Sequence, residues 1–451
     1  MLAALIIAYV LSLLGLSAWA GRGMRSVDDY ALAGRRLPLA LATPTLLATW
    51  FGAGTLLAAA DEVRRRGISA ATLDPIGAGL CLVLAGIFLA RPLVRLRLTT
   101  LPDLFRIRMG SSVERVGGLL MVPTYLGWVA AQYVALGELL ALIFPIPSSI
   151  GIVGVALVGT GYTWLGGMWA VTLTDAAQIV LVTLGLVLMT LSAAHVVPEI
   201  ASSVPPKHLQ MIPPGEFLPW LGILFAGSLG NLPSQDLMQR VFASRSEQVA
   251  QRACILAGLA YLVLGALPVY LGLVGAAMDL APDAVLPQLS DQLLSEPMQL
   301  IFLLTVLSAV LSTIDSALLA PATVLSENVL SSLGTARPLT RNRACVALIS
   351  ILSLGLAFSG ESAYGLLEAT YELTMVALLA PLVFGLRRRV APNWALTGML
   401  FPSGLWTLFF ALGVEELFGI IPVGLACTGL SVGIFALGAR PLGTVGQPRH
   451  V

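Results

Sequence analysis

Apolar residues in this chain run in long, almost uncharged stretches joined by short polar links. Thirteen stretches approach the roughly 20 residues that an α-helix needs to cross a bilayer. They fall near 1–20, 38–60, 73–95, 117–143, 149–166, 174–194, 215–236, 251–279, 297–328, 342–358, 364–385, 394–413 and 417–438. The pattern predicts an all-α polytopic membrane protein of about 13 transmembrane helices. Longer links occur only at 195–214 and near 280–296. The basic stretch 95–115, "RLRLTTLPDLFRIRMGSSVER", reads as an interfacial helix with Phe105 and the leucines against lipid headgroups.

Two of these stretches carry internal breaks. "LATWFGAGT", residues 47–55, places Gly52 and Gly54 inside the second. "AGSLGNLPSQ", residues 226–235, places Gly227, Gly230, Asn231 and Pro233 inside the seventh. Glycine and proline are ordinary packing residues in membrane helices. These two breaks, however, lie five spans apart, and an odd separation gives the two spans opposite directions in the membrane. Interrupted spans at corresponding positions of two inverted halves point to a carrier with its site at the midplane.

Composition agrees with the span pattern: 57% of residues are hydrophobic and 11% charged, with a mean hydropathy of +0.90. Soluble proteins carry about 25% charged residues. Net charge, +1, says little about partners, but its placement is informative. Threading thirteen spans alternately puts 21 of the 25 lysines and arginines on one side, which the positive-inside rule makes cytoplasmic. The expected protein sits in a plasma membrane of the bacterial inner-membrane kind, N-terminus outside and C-terminus cytoplasmic. Arg64, Arg65 and Arg66 fall on the arginine-poor side, where an outer gate pairing one of them with Glu368 or Glu372 competes with simple loop charge beside Asp61 and Glu62. The first stretch lacks a basic leader, so it reads as a retained helix despite the cleavage-like "AWAGRG". Four cysteines without paired spacing and three histidines near segment ends supply no metal, disulfide, hydrolytic or redox centre. The chain reads as a carrier, not an enzyme, with no organic cofactor and no nucleic-acid partner.

Chemistry gathers in "VLSTIDSALLAP", residues 310–321. Helical spacing aligns Ser308, Ser312, Asp315 and Ser316 along one face, with Thr313 at its margin. Hydroxyls alone would be packing residues bonded to the preceding turn. A carboxylate inside a span is costly and marks an ion or substrate pathway by default. Several oxygens and one negative charge suit a hard monovalent cation such as sodium. A second acid, Asp175 in "GYTWLGGMWAVTLTDAAQ", is either a cap for the sixth span or another ion ligand.

"YTWLGGMWAVTLTDAAQ" together with "LSTIDSALL" resembles the sodium:solute symporter family, which includes proline, pantothenate, sialic acid, monocarboxylate and sodium/glucose carriers. "DYALAGRRLP", "ATWFGAG" and "QDLMQRVFASRSEQVAQRA" agree in order and spacing, and the resemblance extends over about residues 1–440. It implies a LeuT-type fold of five plus five helices in inverted repeats. Residues 38–194 and 215–385 would be the repeats, with one extra helix at 1–20, two at 394–438 and a cytoplasmic tail at 439–451. The resemblance further implies a main sodium site of Ala48, Phe51, Ala309, Ser312 and Thr313. A second cation site would involve Asp175, Asp315 and Ser316, with Ser312 beside them.

Solute contacts are expected from Thr49, Trp50 and Thr55 of the second span and Asn231 of the seventh. Tyr125, Trp128 and Gln132 form one face of the fourth, a stripe that also suits plain packing. Glu368 and Glu372, one turn apart in the eleventh, join the candidates; Glu138 sits near the outer end of the fourth. No basic residue lies well inside a span, which tilts the solute toward a zwitterionic or cationic amine. Monocarboxylates, sugars and vitamins stay open, as does proton coupling through Asp175 or Asp315. A sensor that binds solute without moving it is the reading from another class. The expected partners are thus a small organic solute, sodium and membrane lipid, with the monomer as the working unit.

Overall fold

The computed structural model describes residues 2–24, 26–197, 200–331, 337–359 and 363–441. Eight of its helices are long and apolar enough to cross a membrane, and the pair Leu39–Trp50 and Gly54–Arg66 forms a further span bent by 59°. The first and last expected spans are the shorter apolar helices Leu2–Ala20 and Val423–Gly438. Two short antiparallel ribbons complete the fold: Glu416–Leu417 with Ile421–Pro422, and Arg388–Val390 with Ala439–Pro441. Of the expected cytoplasmic tail, residues 442–451 lie outside the described residues.

The breaks have local causes. At the end of Leu39–Trp50, Phe51 leaves the helix at φ −83°, ψ 64°, and the Gly52 N–H turns back to the Trp50 carbonyl at 3.0 Å. In the seventh span, Phe217–Phe225 runs into a wide turn at Ala226–Gly230, and the chain re-enters a helix only at Gln235–Ala243. Pro233 has no N–H to continue the ladder, and Asn231 Nδ2 donates to the Gly227 carbonyl at 3.0 Å. The fifth and sixth spans form the 49-residue Ser148–Val196. Straight, it would be about 74 Å long, far beyond the roughly 30 Å hydrocarbon core. It kinks at Gly167, φ +51°, where a Cβ would stand 2.6 Å from the Tyr30 carbonyl oxygen. A break, not a loop, separates these two spans.

The ninth span, Glu296–Val329, is the central post. Every residue from Thr305 to Val324 is buried, so none of that stretch faces lipid. Tyr9 of the first span reaches Ser308 at 2.7 Å, Gln178 of the sixth donates to Tyr9 at 3.1 Å, and Tyr162 of the fifth donates to the Leu311 carbonyl. The basic stretch corrects an expectation. Its helix, Leu101–Met109, begins at a Thr100–Asp103 capping box. Leu101, Leu104 and Phe105 are fully buried, with the Phe105 ring against Gly117 and Leu104 against Gly385. The apolar face packs on the fourth and eleventh spans, not on headgroups.

Candidate functional site

The break after Trp50 brings backbone carbonyls against the post. Ser312 Oγ lies 3.1 Å from the Ala48 carbonyl and 2.9 Å from that of Ala309. Thr313 Oγ1 lies 2.9 Å from the Thr49 carbonyl and 3.1 Å from that of Ala309. Four of the five expected sodium residues, Ala48, Ala309, Ser312 and Thr313, therefore meet. The break carbonyl beside Thr313 is that of Thr49; Phe51 instead sets its ring edge-on to Tyr261 at 5.5 Å. Gln132 Oε1 accepts from the Ala53 N–H at 2.8 Å and closes the second half-helix. Gly52 makes this approach possible, since a Cβ there would stand 2.5 Å from Thr313 Oγ1 and 2.8 Å from Gln132 Oε1. Gly52→Ala is expected to abolish sodium-induced thermal stabilisation, and a normal sodium shift in that variant would refute the tight fit.

One turn further along the post lies a wholly buried ionic cluster. Ser316 Oγ donates to Asp315 Oδ1 at 2.9 Å and meets Thr49 Oγ1 at 3.1 Å. Thr45 donates to Asp175 Oδ2. The expected cation residues Asp175, Asp315 and Ser316 do assemble, and so does Arg240, which follows the seventh apolar stretch. Arg240 is fully buried, donates to Ser316 Oγ at 2.5 Å and to the Asp236 carbonyl at 3.2 Å, and lies 3.7 Å from Asp175 Oδ2. Two carboxylates against one guanidinium leave one negative charge, if both acids are ionised. A buried charge without a partner is strongly destabilising.

Beside the Gly230 break lies a narrow cavity of about 20 Å³. Trp50, Tyr125, Trp128 and Tyr371 supply aromatic walls, and Asn231 and Asp236 supply polar ones. Asp236 is buried; it accepts from Trp50 Nε1 at 2.5 Å and from Tyr125 Oη at 2.6 Å, while its own N–H donates back to Tyr125 Oη at 3.0 Å. Those bonds fix two aromatic faces around one carboxylate. Asp236 was not singled out from the sequence because it stands at the predicted end of a span, where acids are ordinary. Its signal is the break "NLPSQ" just before it, after which the chain enters a helix buried along its whole length.

Of the expected solute contacts, Trp50, Tyr125, Trp128 and Asn231 line the cavity and five do not. Thr49 faces the ionic cluster, Thr55 bonds Asp74 and Tyr261, and Gln132 caps the break. Glu372 accepts from Trp406 Nε1 at 2.9 Å and packs on Gly424, so it serves the added C-terminal helices. Thr370, Tyr371 and Thr374 face the cavity. Glu368 and Glu372 stand two positions from Thr370 and Thr374, and a helix of 3.6 residues per turn carries them to the other side. The arginines of the expected gate also pair elsewhere. Arg64 binds Asp279 at 3.1 Å, Arg65 binds Glu62 at 2.6 Å and also Asp283, and Arg66 binds Glu62 at 3.1 Å. Arg64 and Arg65 tie the second span to the link before the ninth, while Arg66 pairs within its own helix and lies within electrostatic reach of Glu368.

A helical bundle with two broken spans, oxygens gathered at one break and an aromatic cavity beside the other defines a secondary carrier of the LeuT-type fold. A solved structure of a sodium-coupled sialic acid symporter, substrate-bound and outward-open, matches this fold with a TM-score of 0.82 at 16% identity, covering 98% of this chain and 99% of that one. The profile of the sodium:solute symporter family matches residues 30–401, and the chain belongs to that family. Among its relatives, the human high affinity choline transporter 1 is 29% identical over 90% of this chain and 72% of its own length. The sodium/proline symporter 2 of Staphylococcus saprophyticus is 26% identical over 72% of this chain and 69% of its own.

Proposed function

We propose that this symporter imports a small cationic amine, with choline the leading candidate, driven by sodium. The observation that carries the reading is Asp236, a buried carboxylate held between Trp50 and Tyr125 in an aromatic cavity. A quaternary ammonium has no N–H to donate and is recognised by aromatic faces and a nearby negative charge. No arginine or lysine is among the residues lining the cavity, which disfavours monocarboxylates. The names of the choline-transporting relatives point the same way.

The coupling sodium would sit among the carbonyls of Ala48, Thr49 and Ala309 and the hydroxyls of Ser312 and Thr313. Those groups belong to two different spans, so a cation between them favours the arrangement in which the spans are close. A ligand shifts a conformational equilibrium only by such differential affinity. Because Trp50 directly follows the Ala48 and Thr49 carbonyls, a sodium here also steadies one wall of the cage. A second cation at Asp175, Asp315 and Ser316 would neutralise the charge that Arg240 leaves uncompensated. Cytoplasmic placement of the C-terminus follows from the arginine distribution, and the site is complete within one chain, which favours the monomer.

Purified protein in proteoliposomes should accumulate radiolabelled choline when sodium is applied outside, and accumulate proline, glucose and lactate far less. Uptake of one of those solutes in place of choline would overturn the substrate. Choline uptake driven by a pH gradient without sodium would overturn the coupling ion, and binding without uptake would leave a sensor.

A further inference from the structure

Behind the cage, at the start of the third span, lies an acid that the transport scheme does not use. Asp74 is buried; it accepts from Thr55 Oγ1 at 2.8 Å, and its Oδ1 lies 2.8 Å from Tyr261 Oη. The same Tyr261 hydroxyl lies 2.9 Å from the Trp50 carbonyl, and it also touches Thr55 Oγ1. Among the described residues, no arginine, lysine or histidine forms an ion pair with Asp74. Facing it are Thr55 from the second span and Tyr261 from the eighth, with Tyr371 of the eleventh within electrostatic reach of both Asp74 and Asp236. Cys81, on its own span, and Cys254 of the eighth, which faces Cys81, are the further titratable neighbours among the described residues. The packed segments 54–58, 68–72, 217–225 and 226–230 bring no titratable side chain.

Counting protons exposes a deficit. Thr55 and Tyr261 own two hydroxyl protons, and three acceptors compete for them: both Asp74 oxygens and the Trp50 carbonyl. If Asp74 is ionised, both protons turn to the carboxylate and Tyr261 abandons the carbonyl at the break. A third proton completes the set. Asp74 Oδ1–H then donates to Tyr261 Oη, Tyr261 donates to the Trp50 carbonyl, and Thr55 keeps Asp74 Oδ2. A buried carboxylate without a cation is costly, which supplies the driving force.

We propose that Asp74 is a proton-binding site, and that its proton sets the direction of the Tyr261 hydrogen bond and so pins the Trp50 carbonyl at the helix break. The step is one protonation: the carboxylate takes a proton from water and no heavy-atom bond changes. Trp50 walls the cage, so solute affinity follows the state of Asp74. Only this affinity readout rests on the choline reading; the proton site itself does not.

Two measurements test it. Infrared difference spectra of the purified protein, titrated from about pH 5.5 to about pH 8.5, should show the C=O stretch of a protonated carboxyl that fades with rising pH and is missing in Asp74→Asn. Choline affinity at saturating sodium should weaken about fivefold across that range, the ratio expected for one buried hydrogen bond. It should be independent of pH in both Asp74→Asn and Tyr261→Phe. An Asp74→Asn protein that keeps the band, or keeps the slope, overturns the proposal. If Asp74→Asn does not fold, Tyr261→Phe decides, since losing the hydroxyl must shift the carboxyl band and an unshifted band counts against the relay. A protein that fails to bind choline yet shows the Asp74 band loses the substrate reading and keeps the proton site.

Discussion

Asp236→Asn is expected to weaken choline binding by at least about thirtyfold while leaving the sodium-induced thermal shift in place. Truncating one partner of a buried charge pair costs about 2–5 kcal/mol, and thirtyfold corresponds to the lower end of that range. Asparagine keeps the volume of the side chain, so the cavity is not reshaped by size. It removes the negative charge and offers one acceptor where two are used, by Trp50 Nε1 at 2.5 Å and Tyr125 Oη at 2.6 Å. Equilibrium binding of radiolabelled choline to the purified protein measures the first effect. Sodium-dependent melting measures the second and shows that the protein is folded. Choline affinity within threefold of the unmodified protein would remove Asp236 from the site.

Ser312→Ala and Thr313→Ala are each expected to raise the sodium concentration for half-maximal uptake by about tenfold. Bonds to a charged group contribute about 1.5–3 kcal/mol, and about 1.4 kcal/mol is already a factor of ten. Each hydroxyl bridges the Ala309 carbonyl of the post and a carbonyl of the break, Ala48 for Ser312 and Thr49 for Thr313. Removing one therefore deletes a ligand and a link between the two spans at once. The double variant should lose sodium dependence of choline affinity, because site and cage communicate through residues 48–50. By reciprocity, choline should then also cease to improve sodium binding. Unchanged sodium curves in both single variants would sink the assignment. This result is separable from the Asp236 test, since one reads the ion and the other the solute.

Three features were legible because they are local. Long apolar runs set the spans, and glycine or proline inside two of them set the breaks. The order Ser312, Thr313, Asp315, Ser316 put its oxygens along a helix that turns about 100° per residue. The interfacial helix misled because apolar residues read the same whether lipid or protein covers them, and only the crossing with Gly117 and Gly385 settles which. Glu368 and Glu372 stood out because a carboxylate in a span signals function without saying which side of the helix looks inward.

The cage and the ionic cluster belong to tertiary structure. Trp50 and Tyr125 meet Asp236 across 186 and 111 residues of chain. Arg240 reaches Asp175 and Ser316 only because the helix after the seventh-span break, Gln235–Ala243, is buried against the post. Sequence alone determined that this chain crosses the membrane many times, is interrupted twice and carries oxygen ligands at one interruption. Which acid faces the solute, and which charge offsets which, was decided by the crossing of spans. A buried charge is tolerated only where its partner stands, and that place is set by packing between distant segments rather than by spacing along one.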